Sequence, residues 1–144
     1  MYFVDRNNIE QTLRFFETQL ALFDSTPAWQ SEIEKRALER ISHLMIECIL
    51  DVGNDMIDGF IMRDPGSYDD IMDILTDEKV VAEDEGNKLK QLISSRKQLV
   101  QEYQHADHQE LFTLITSNRD VLKAFPARVR TYLESELGPV SAFK

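Results

Sequence analysis

The longest helical pattern in the chain, from Ser31 to about Ile61, restricts the fold more than any other feature of the sequence. Ser31 and Glu34 have the spacing of a capping box, in which each side chain bonds to the other residue's backbone N–H. Apolar residues then recur on most of the helix circumference: Ala37, Leu38, Ile41, Leu44, Met45, Cys48, Ile49, Val52, Met56, Ile57, Phe60 and Ile61. A helix so widely apolar has to be covered on two sides. We expect the domain's own helices on one side and a second copy of the chain on the other.

Three shorter helices and a final helical stretch complete the pattern. They are, in chain order, a helix from Asn7 or Asn8 to Phe23, a short helix capped by Ser67, a helix from Ala82 or Glu83 to Gln104, and a stretch from Asp107 to a stop at Gly138-Pro139. We expect Ser117-Asn118 to interrupt the last stretch, Pro126 to kink it or lie near a new start, and the tail 140–144 to pack down. The sequence therefore predicts an all-α bundle of about five helices in one domain of 144 residues.

Composition and charge narrow the classes of function. The formal net charge is −10, so the chain as a whole repels nucleic acid. An RNA-binding surface would have to be local, and the candidates for it are the basic residues near the fourth and last helices: Lys88, Lys90, Arg96, Lys97, Arg119, Lys123, Arg128 and Arg130. The single cysteine, Cys48, excludes an internal disulfide and a cysteine-rich zinc site, and its apolar neighbours predict a buried side chain.

No stretch of the sequence has the pattern of a targeting or membrane segment. The first residues lack the cationic stretch and long apolar run of a signal peptide. No apolar run reaches the roughly 18 residues that a membrane span needs. We therefore expect a cytoplasmic protein without a membrane partner.

Arg96 is the residue whose position most needs a functional explanation. It lies on the apolar stripe of the fourth helix, four residues after Leu92 and three before Leu99. A guanidinium group stays protonated, so in an apolar seam it needs a carboxylate, phosphate or carbonyl partner. Tyr103 follows seven residues later and is expected on nearly the same face. Arg96 is therefore either a member of a structural ion pair or part of a site.

Carboxylates of the second helix are the expected partners if Arg96 forms an ion pair. Asp51, Asp55 and Asp58 follow one another at spacings of four and three, so they share a helix face. They form either a solvated stripe or, if the second and fourth helices pack antiparallel, the partners of Arg96.

Two groups of histidine and carboxylate residues have the composition of a candidate site. His105, Asp107 and His108 offer metal donors, but three residues at a helix joint are a weak pattern, and solvated turn residues are the favoured interpretation. His43 and Glu47 lie four apart on one helix, and a simple intrahelical pair explains that spacing equally well. The sequence predicts no metal and no cofactor.

Three segments occur together in a recognisable order. They are residues 65–75 (PGSYDDIMDIL), residues 96–103 (RKQLVQEY) and residues 106–111 (ADHQEL). In order and spacing they resemble the HepT-like family (domain of unknown function 86) of the HEPN superfamily, in particular its YutE-type members, over nearly the whole chain. The resemblance implies a helical bundle that forms a homodimer, with an Arg-x4-His-x-Tyr motif lining a cleft between the two copies.

The resemblance also implies an activity and partners. HepT proteins are toxins that cleave RNA without a metal, and a minimal nucleotidyltransferase antitoxin silences them by transferring AMP to the motif tyrosine. By position, Arg96 matches the motif arginine and Tyr103 the tyrosine that is modified. Asp51 and Asp55 are candidate supporting residues of the same site.

Gln101 stands at the position of the motif histidine and changes the expected chemistry. RNA cleavage without a metal needs a proton acceptor for the 2′-hydroxyl and a donor for the leaving oxygen, and an amide can be neither. His105, one helical turn later, is a candidate substitute, although that turn displaces the ring by roughly 5 Å. Two functions follow. Arg96 and Tyr103 favour a HepT-type ribonuclease, whereas Gln101 and the negative charge favour a non-catalytic HEPN homodimer for protein interaction or nucleotide sensing.

Overall fold

The computed structural model describes residues 2–26 and 28–139, and every regular element in those ranges is a helix. The α-helices are α1 (Arg6–Ser25), α2 (Glu32–Gly59), α3 (Tyr68–Asp77), α4 (Glu83–Ser94), α5 (Arg96–Val100), α6 (His108–Ser117) and α7 (Arg119–Leu137), and a 3-10 helix spans Tyr103–His105. The all-α prediction is confirmed. The helices outnumber the five predicted, because the fourth helix and the final stretch are each divided. None of these helices is both long and apolar enough to cross a membrane.

The central element is α2, whose sequence explains both its start and its burial. Ser31 accepts a hydrogen bond from the N–H of Glu34 at 3.1 Å, and the Glu34 carboxylate accepts one from the N–H of Ser31 at 3.0 Å, so the predicted capping box is present. Helices α1, α3, α5 and α6 all pack against α2, and Cys48 is buried there as predicted. Most apolar side chains of α2 are thus covered within one chain, although Ile33 is exposed. Their number does not by itself require a second copy, and the homodimer stays a prediction.

Gly53 lets α3 approach α2 closely. A Cβ atom on Gly53 would collide with Cγ2 of Ile71 on α3 and would lie 3.6 Å from Cε of Met72. Glycine in mid-helix thus serves close packing here. The contact fixes the position of α3, whose first residue is Tyr68, relative to α2.

The helix predicted to run as far as Gln104 ends early. Helix α4 stops at Ser94, and the hydroxyls of Ser94 and Ser95 each donate to the backbone carbonyl three residues earlier, at 2.6 Å. Such local bonds compete with the helical backbone pattern. The chain restarts as α5 at Arg96 and leaves that helix after five residues. Arg96 and Tyr103 therefore do not belong to one continuous helix.

Polar caps set most of the other helix starts. Ser67 caps α3 and Asp107 caps α6, each through a side-chain oxygen that accepts from a backbone N–H, as predicted. Helix α1 is capped by Asp5 rather than by Asn7 or Asn8. The prediction placed this start about two residues too late. Asparagine and aspartate are equally good N-caps, so the sequence does not show which of the neighbouring candidates caps the helix.

The final stretch divides at Asn118, as predicted, and its amide donates to the carbonyl of Leu114 at 2.9 Å. Pro126 lies inside α7 and is buried, so it does not mark a new start. Gly138, with a φ of 80°, follows the last residue of α7 and confirms the predicted stop. The predicted packing of the tail 140–144 lies outside the described residues.

Candidate functional site

Arg96 is held where α5 meets α2 by a carboxylate of α2. Its Nε donates to Oε1 of Glu47 at 2.6 Å, and 23% of the Arg96 side chain and 33% of the Glu47 side chain are exposed. The guanidinium also lies over the ring of Tyr68, with Cζ 4.6 Å from the ring centroid, which is a cation–π contact. Three helices therefore meet at one guanidinium group.

The carboxylate that binds Arg96 is not among those predicted from the sequence. Of the two alternatives for Asp51, Asp55 and Asp58, the one that makes them the partners of Arg96 is wrong. Arg96 lies on the short α5, which meets α2 one turn nearer its start, at Glu47. The hydrogen bond to Glu47 raises the pKa of Arg96 above its usual value, so the guanidinium is cationic. Arg96 is a member of an ion pair, as one of the two alternatives has it, and is also partly exposed to solvent.

The ion pair uses only one of the N–H donors of Arg96. Among the described residues, neither terminal amino group of Arg96 has a hydrogen-bond partner, while Nε is fixed by Glu47. A guanidinium can bind a phosphate through two parallel N–H···O bonds. The contact with Glu47 therefore orients Arg96 and leaves its two terminal amino groups, its outer donors, available to bind a phosphate.

Glu47 belongs to a row of polar side chains along α2, in which His43, Glu47, Asp51 and Asp55 follow one another four residues apart. His43 Nε2 lies 3.3 Å from Glu47 Oε1, the same oxygen that accepts from α5. Burial and the charge of Glu47 raise the pKa of Asp51. Burial also raises the pKa of Asp55, whose carboxylate accepts a hydrogen bond from Asn8 at 2.9 Å.

His43 is the functional candidate that the sequence did not connect with Arg96. The spacing of His43 and Glu47 predicts an intrahelical pair, and that pair is confirmed. Nothing in the sequence connects the pair to Arg96, because the connection requires a separate α5 that packs on α2. The only available signal was a histidine on the same four-residue row as Asp51 and Asp55.

Gln101 and Tyr103 both lie beyond the last residue of α5. Gln101 follows the last residue of α5, is exposed, and lines a surface depression together with Tyr68 and Arg96. The side chain of Tyr103, on the 3-10 helix, is 59% exposed. The predicted common helical face of Arg96 and Tyr103 is not formed, because α5 ends before Tyr103.

The other two histidines lie apart from Arg96 in different settings. His105 is exposed on the 3-10 helix, as a solvated turn residue should be. His108 is half-buried, and its Nε2 contacts Glu39 of α2 beside Arg36, so the expectation of a solvated residue is wrong there. Within residues 2–26 and 28–139, no three His, Cys, Asp or Glu side chains cluster as a metal site requires.

The basic residues expected to form a cationic surface are mostly neutralised by carboxylates. The pairs are Arg130 with Glu10 and Glu17, Arg128 with Glu85, Arg119 with Asp24, Lys90 with Asp73 and Lys97 with Glu102. The predicted separate basic surface is therefore wrong. Arg40 instead supplies a second guanidinium near Glu47, because its NH1 lies 3.4 Å from Nδ1 of His43.

Comparison with known proteins gives this arrangement a family context. The family model described as "Ribonuclease HepT-like" matches residues 7–129. A protein of Bacillus subtilis (strain 168) named "Putative RNase YutE" is 70% identical over 144 residues, and the match covers the whole of both chains.

Two solved structures share the fold. One is described as YutE of Bacillus subtilis, a cytosolic protein of unknown function; it has a TM-score of 0.96 and 70% identity, and the match covers 99% of this chain and 100% of that one. The other is described as a toxin–antitoxin with AMP-PNP and has a TM-score of 0.73 at 13% identity, with 86% of this chain and 96% of that one covered. At that identity the second match shows a common fold.

The contact between Arg96 and Glu47 predicts a measurable coupling in stability. Arg96→Leu should lower the free energy of unfolding by about 1 kcal/mol, because it leaves a partly buried carboxylate without its charged partner while solvent still reaches it. Glu47→Gln added to Arg96→Leu should cost little more, since the contact is already lost. Urea unfolding of the two single variants and the double variant measures the coupling.

Lys97→Leu is the matched control, because Lys97 lies on the same helix and its side chain is 70% exposed. Its effect on the free energy of unfolding should stay within about 0.5 kcal/mol. Strictly additive losses for Arg96→Leu and Glu47→Gln would contradict the coupling.

Proposed function

Because this chain belongs to the HepT-like ribonuclease family, we propose that it cleaves RNA as the toxin of a toxin–antitoxin pair. The observation that carries the proposal is the setting of Arg96. Its Nε is anchored by Glu47, whereas its terminal amino groups have no partner among the described residues. A guanidinium held in this way presents two parallel donors to a phosphodiester, the geometry that arginine favours for phosphate.

A second cation supports RNA binding in a chain that is acidic overall. Arg40 contacts His43 and forms no ion pair within the described residues, so it adds a positive charge beside Glu47. Charges are largely screened from each other beyond roughly 10 Å at moderate salt, so two local guanidinium groups can attract a phosphate despite the net charge of the chain. Glu47 occupies only the Nε donor of Arg96. Binding of RNA through these groups should weaken as salt is added, because the phosphate contacts release counterions.

We propose Tyr103 as the residue to which a minimal nucleotidyltransferase antitoxin transfers AMP. Its largely exposed phenol is accessible to a second protein. In the transfer, the phenolic oxygen attacks the α-phosphorus of ATP, pyrophosphate leaves, and the phenolic proton passes to a base or to water. Tyr103→Phe should abolish labelling by ATP that carries a labelled α-phosphate in the presence of the purified antitoxin. Undiminished labelling of the variant would contradict this role.

We further propose that the protein acts in the cytoplasm as a homodimer, with the cleft lying between two copies. Tyr68, whose ring lies under the Arg96 guanidinium, and Val100, four residues after Arg96 on α5, expose aromatic or apolar surface beside Arg96. A second copy covering that surface would bring the Arg96 sites of the two copies to one cleft. Sedimentation equilibrium at micromolar concentration should give the mass of two chains, and a single-chain mass would rule the dimer out.

Gln101 favours a second candidate function, a non-catalytic HEPN homodimer that works by protein interaction or nucleotide sensing. The side chain is exposed in the depression beside Arg96, where an imidazole would be well placed for proton transfer. An amide can position a phosphate by hydrogen bonding but cannot exchange a proton with it. In this function Arg96 would bind phosphate groups without cleaving them.

Cleavage of a mixed RNA pool, with a chelator present, separates the two functions. The native protein should cleave, and Arg96→Ala should reduce the rate by about 100-fold or more, because it removes a donor that binds the phosphate in the transition state. Lys123→Ala removes one positive charge on α7, away from Arg96, and should cleave at the native rate.

Gln101→His tests whether the cleft can cleave RNA once an imidazole stands at the position of the motif histidine. If only this variant cleaves, the cleft is intact but its proton chemistry is absent, and the non-catalytic function is supported. If native protein and Arg96→Ala cleave equally, Arg96 does not form the site and the ribonuclease proposal fails.

A further inference from the structure

We propose that His43 is the group that accepts the proton of the ribose 2′-hydroxyl, the task that Gln101 cannot perform. This inference rests on the proposed ribonuclease function and deepens it by naming a catalytic residue on α2. The three histidines of the chain differ in their contacts, and the contacts decide which of them can serve as the base. His108 is engaged by Glu39 and His105 is exposed on the 3-10 helix, whereas His43 shares a carboxylate oxygen with Arg96.

The shared oxygen places the imidazole and the phosphate-binding guanidinium beside one another. Oε1 of Glu47 lies 2.6 Å from Nε of Arg96 and 3.3 Å from Nε2 of His43. Nε of Arg96 and Nε2 of His43 therefore lie within about 6 Å of each other, a separation that one phosphodiester unit with its ribose can span. A phosphate on the outer donors of Arg96 therefore brings the neighbouring 2′-hydroxyl within reach of His43.

The carboxylate also selects the form of the imidazole. With Nε2–H donating to Glu47, Nδ1 of His43 is left as the unprotonated nitrogen, which can accept a proton. A carboxylate that orients an imidazole from behind is the arrangement that general bases use in unrelated enzymes. His43 is also accessible, since 24% of its side chain is exposed.

Arg40 contacts Nδ1 of His43 in the free protein, and a bound phosphodiester can draw Arg40 away from that nitrogen. NH1 of Arg40 lies 3.4 Å from Nδ1 of His43, longer than the usual hydrogen-bond distance, so the contact is weak. A phosphodiester that binds Arg40 and Arg96 offers Arg40 a charged partner in place of the neutral nitrogen. Nδ1 is then free to take the hydroxyl proton.

The step balances without a further reactant. Nδ1 takes the proton from the 2′-hydroxyl, and the 2′-oxygen attacks phosphorus and forms a new P–O bond. The bond between phosphorus and the 5′-oxygen breaks, and that oxygen leaves with the electron pair and takes a proton from water. The imidazolium afterwards returns its proton to solvent. The products are a 2′,3′-cyclic phosphate and a 5′-hydroxyl end, and Arg96 stabilises the negative charge that builds on the phosphate oxygens.

His43→Gln tests the proposal, because it keeps a polar side chain and removes the base. Initial rates of RNA cleavage are measured with a chelator present, together with the affinity for the same oligonucleotide in its all-deoxy form, which cannot be cleaved. We expect the rate to fall by about 100-fold or more and the affinity to change by less than about twofold. His108→Gln is the matched control: it removes an imidazole from a similar contact with a glutamate of α2, away from Arg96, and should keep the native rate.

Rescue by imidazole distinguishes proton transfer from a purely structural role. Imidazole added to His43→Ala should restore part of the cleavage, because the free base can occupy the vacated space. Native-rate cleavage by His43→Gln overturns the inference and leaves the proposed ribonuclease intact. Loss of oligonucleotide affinity in His43→Gln together with no rescue of His43→Ala also overturns it, in favour of a structural role. No cleavage by the native protein overturns the ribonuclease proposal and this inference with it.

Discussion

The candidate site depends on the contacts that the Glu47 carboxylate makes with Arg96 and His43. One oxygen of this carboxylate accepts a hydrogen bond from Arg96 and contacts His43, so a single group on α2 orients a cation from α5 and an imidazole from its own helix. Without that carboxylate, Arg96 loses the anchor at Nε and His43 loses the contact that selects its protonated nitrogen. Since the site combines two helices, it exists only while α5 is packed on α2.

The fold makes this arrangement possible by burying the rest of α2. Helices α1, α3, α5 and α6 cover its apolar side chains, which leaves the row that contains His43 and Glu47 as its partly exposed polar face. Gly53 permits the close approach of α3, whose first residue, Tyr68, then lies under the guanidinium of Arg96. The core and the site are therefore two faces of one helix. A change in the packing of α3 or α5 would shift Arg96 relative to Tyr68 and Glu47.

Much of the fold could be predicted from local signals, because those signals are made within a few residues. The capping box at Ser31, the caps at Ser67 and Asp107, and the stop at Gly138 all follow from side chains that bond to their own neighbourhood. The family could also be identified from three short segments in order. The break after Ser94 was not predicted, because apolar residues continue at helical spacing across it. That spacing does not predict the hydrogen bonds of the Ser94 and Ser95 hydroxyls at the end of α4.

That single miss accounts for most of what was wrong about the site. With one long fourth helix, Arg96 is expected opposite Asp51, Asp55 or Asp58 and on one face with Tyr103; with a separate α5 it meets Glu47 instead. Contacts between distant segments depend on where helices end, which spacing alone does not give. The most direct test of the shared carboxylate is a crystal structure with an all-deoxy dinucleotide bound. We predict its phosphate on the terminal amino groups of Arg96, with the sugar of the 5′ nucleotide turned toward His43; a phosphate bound elsewhere would contradict the site.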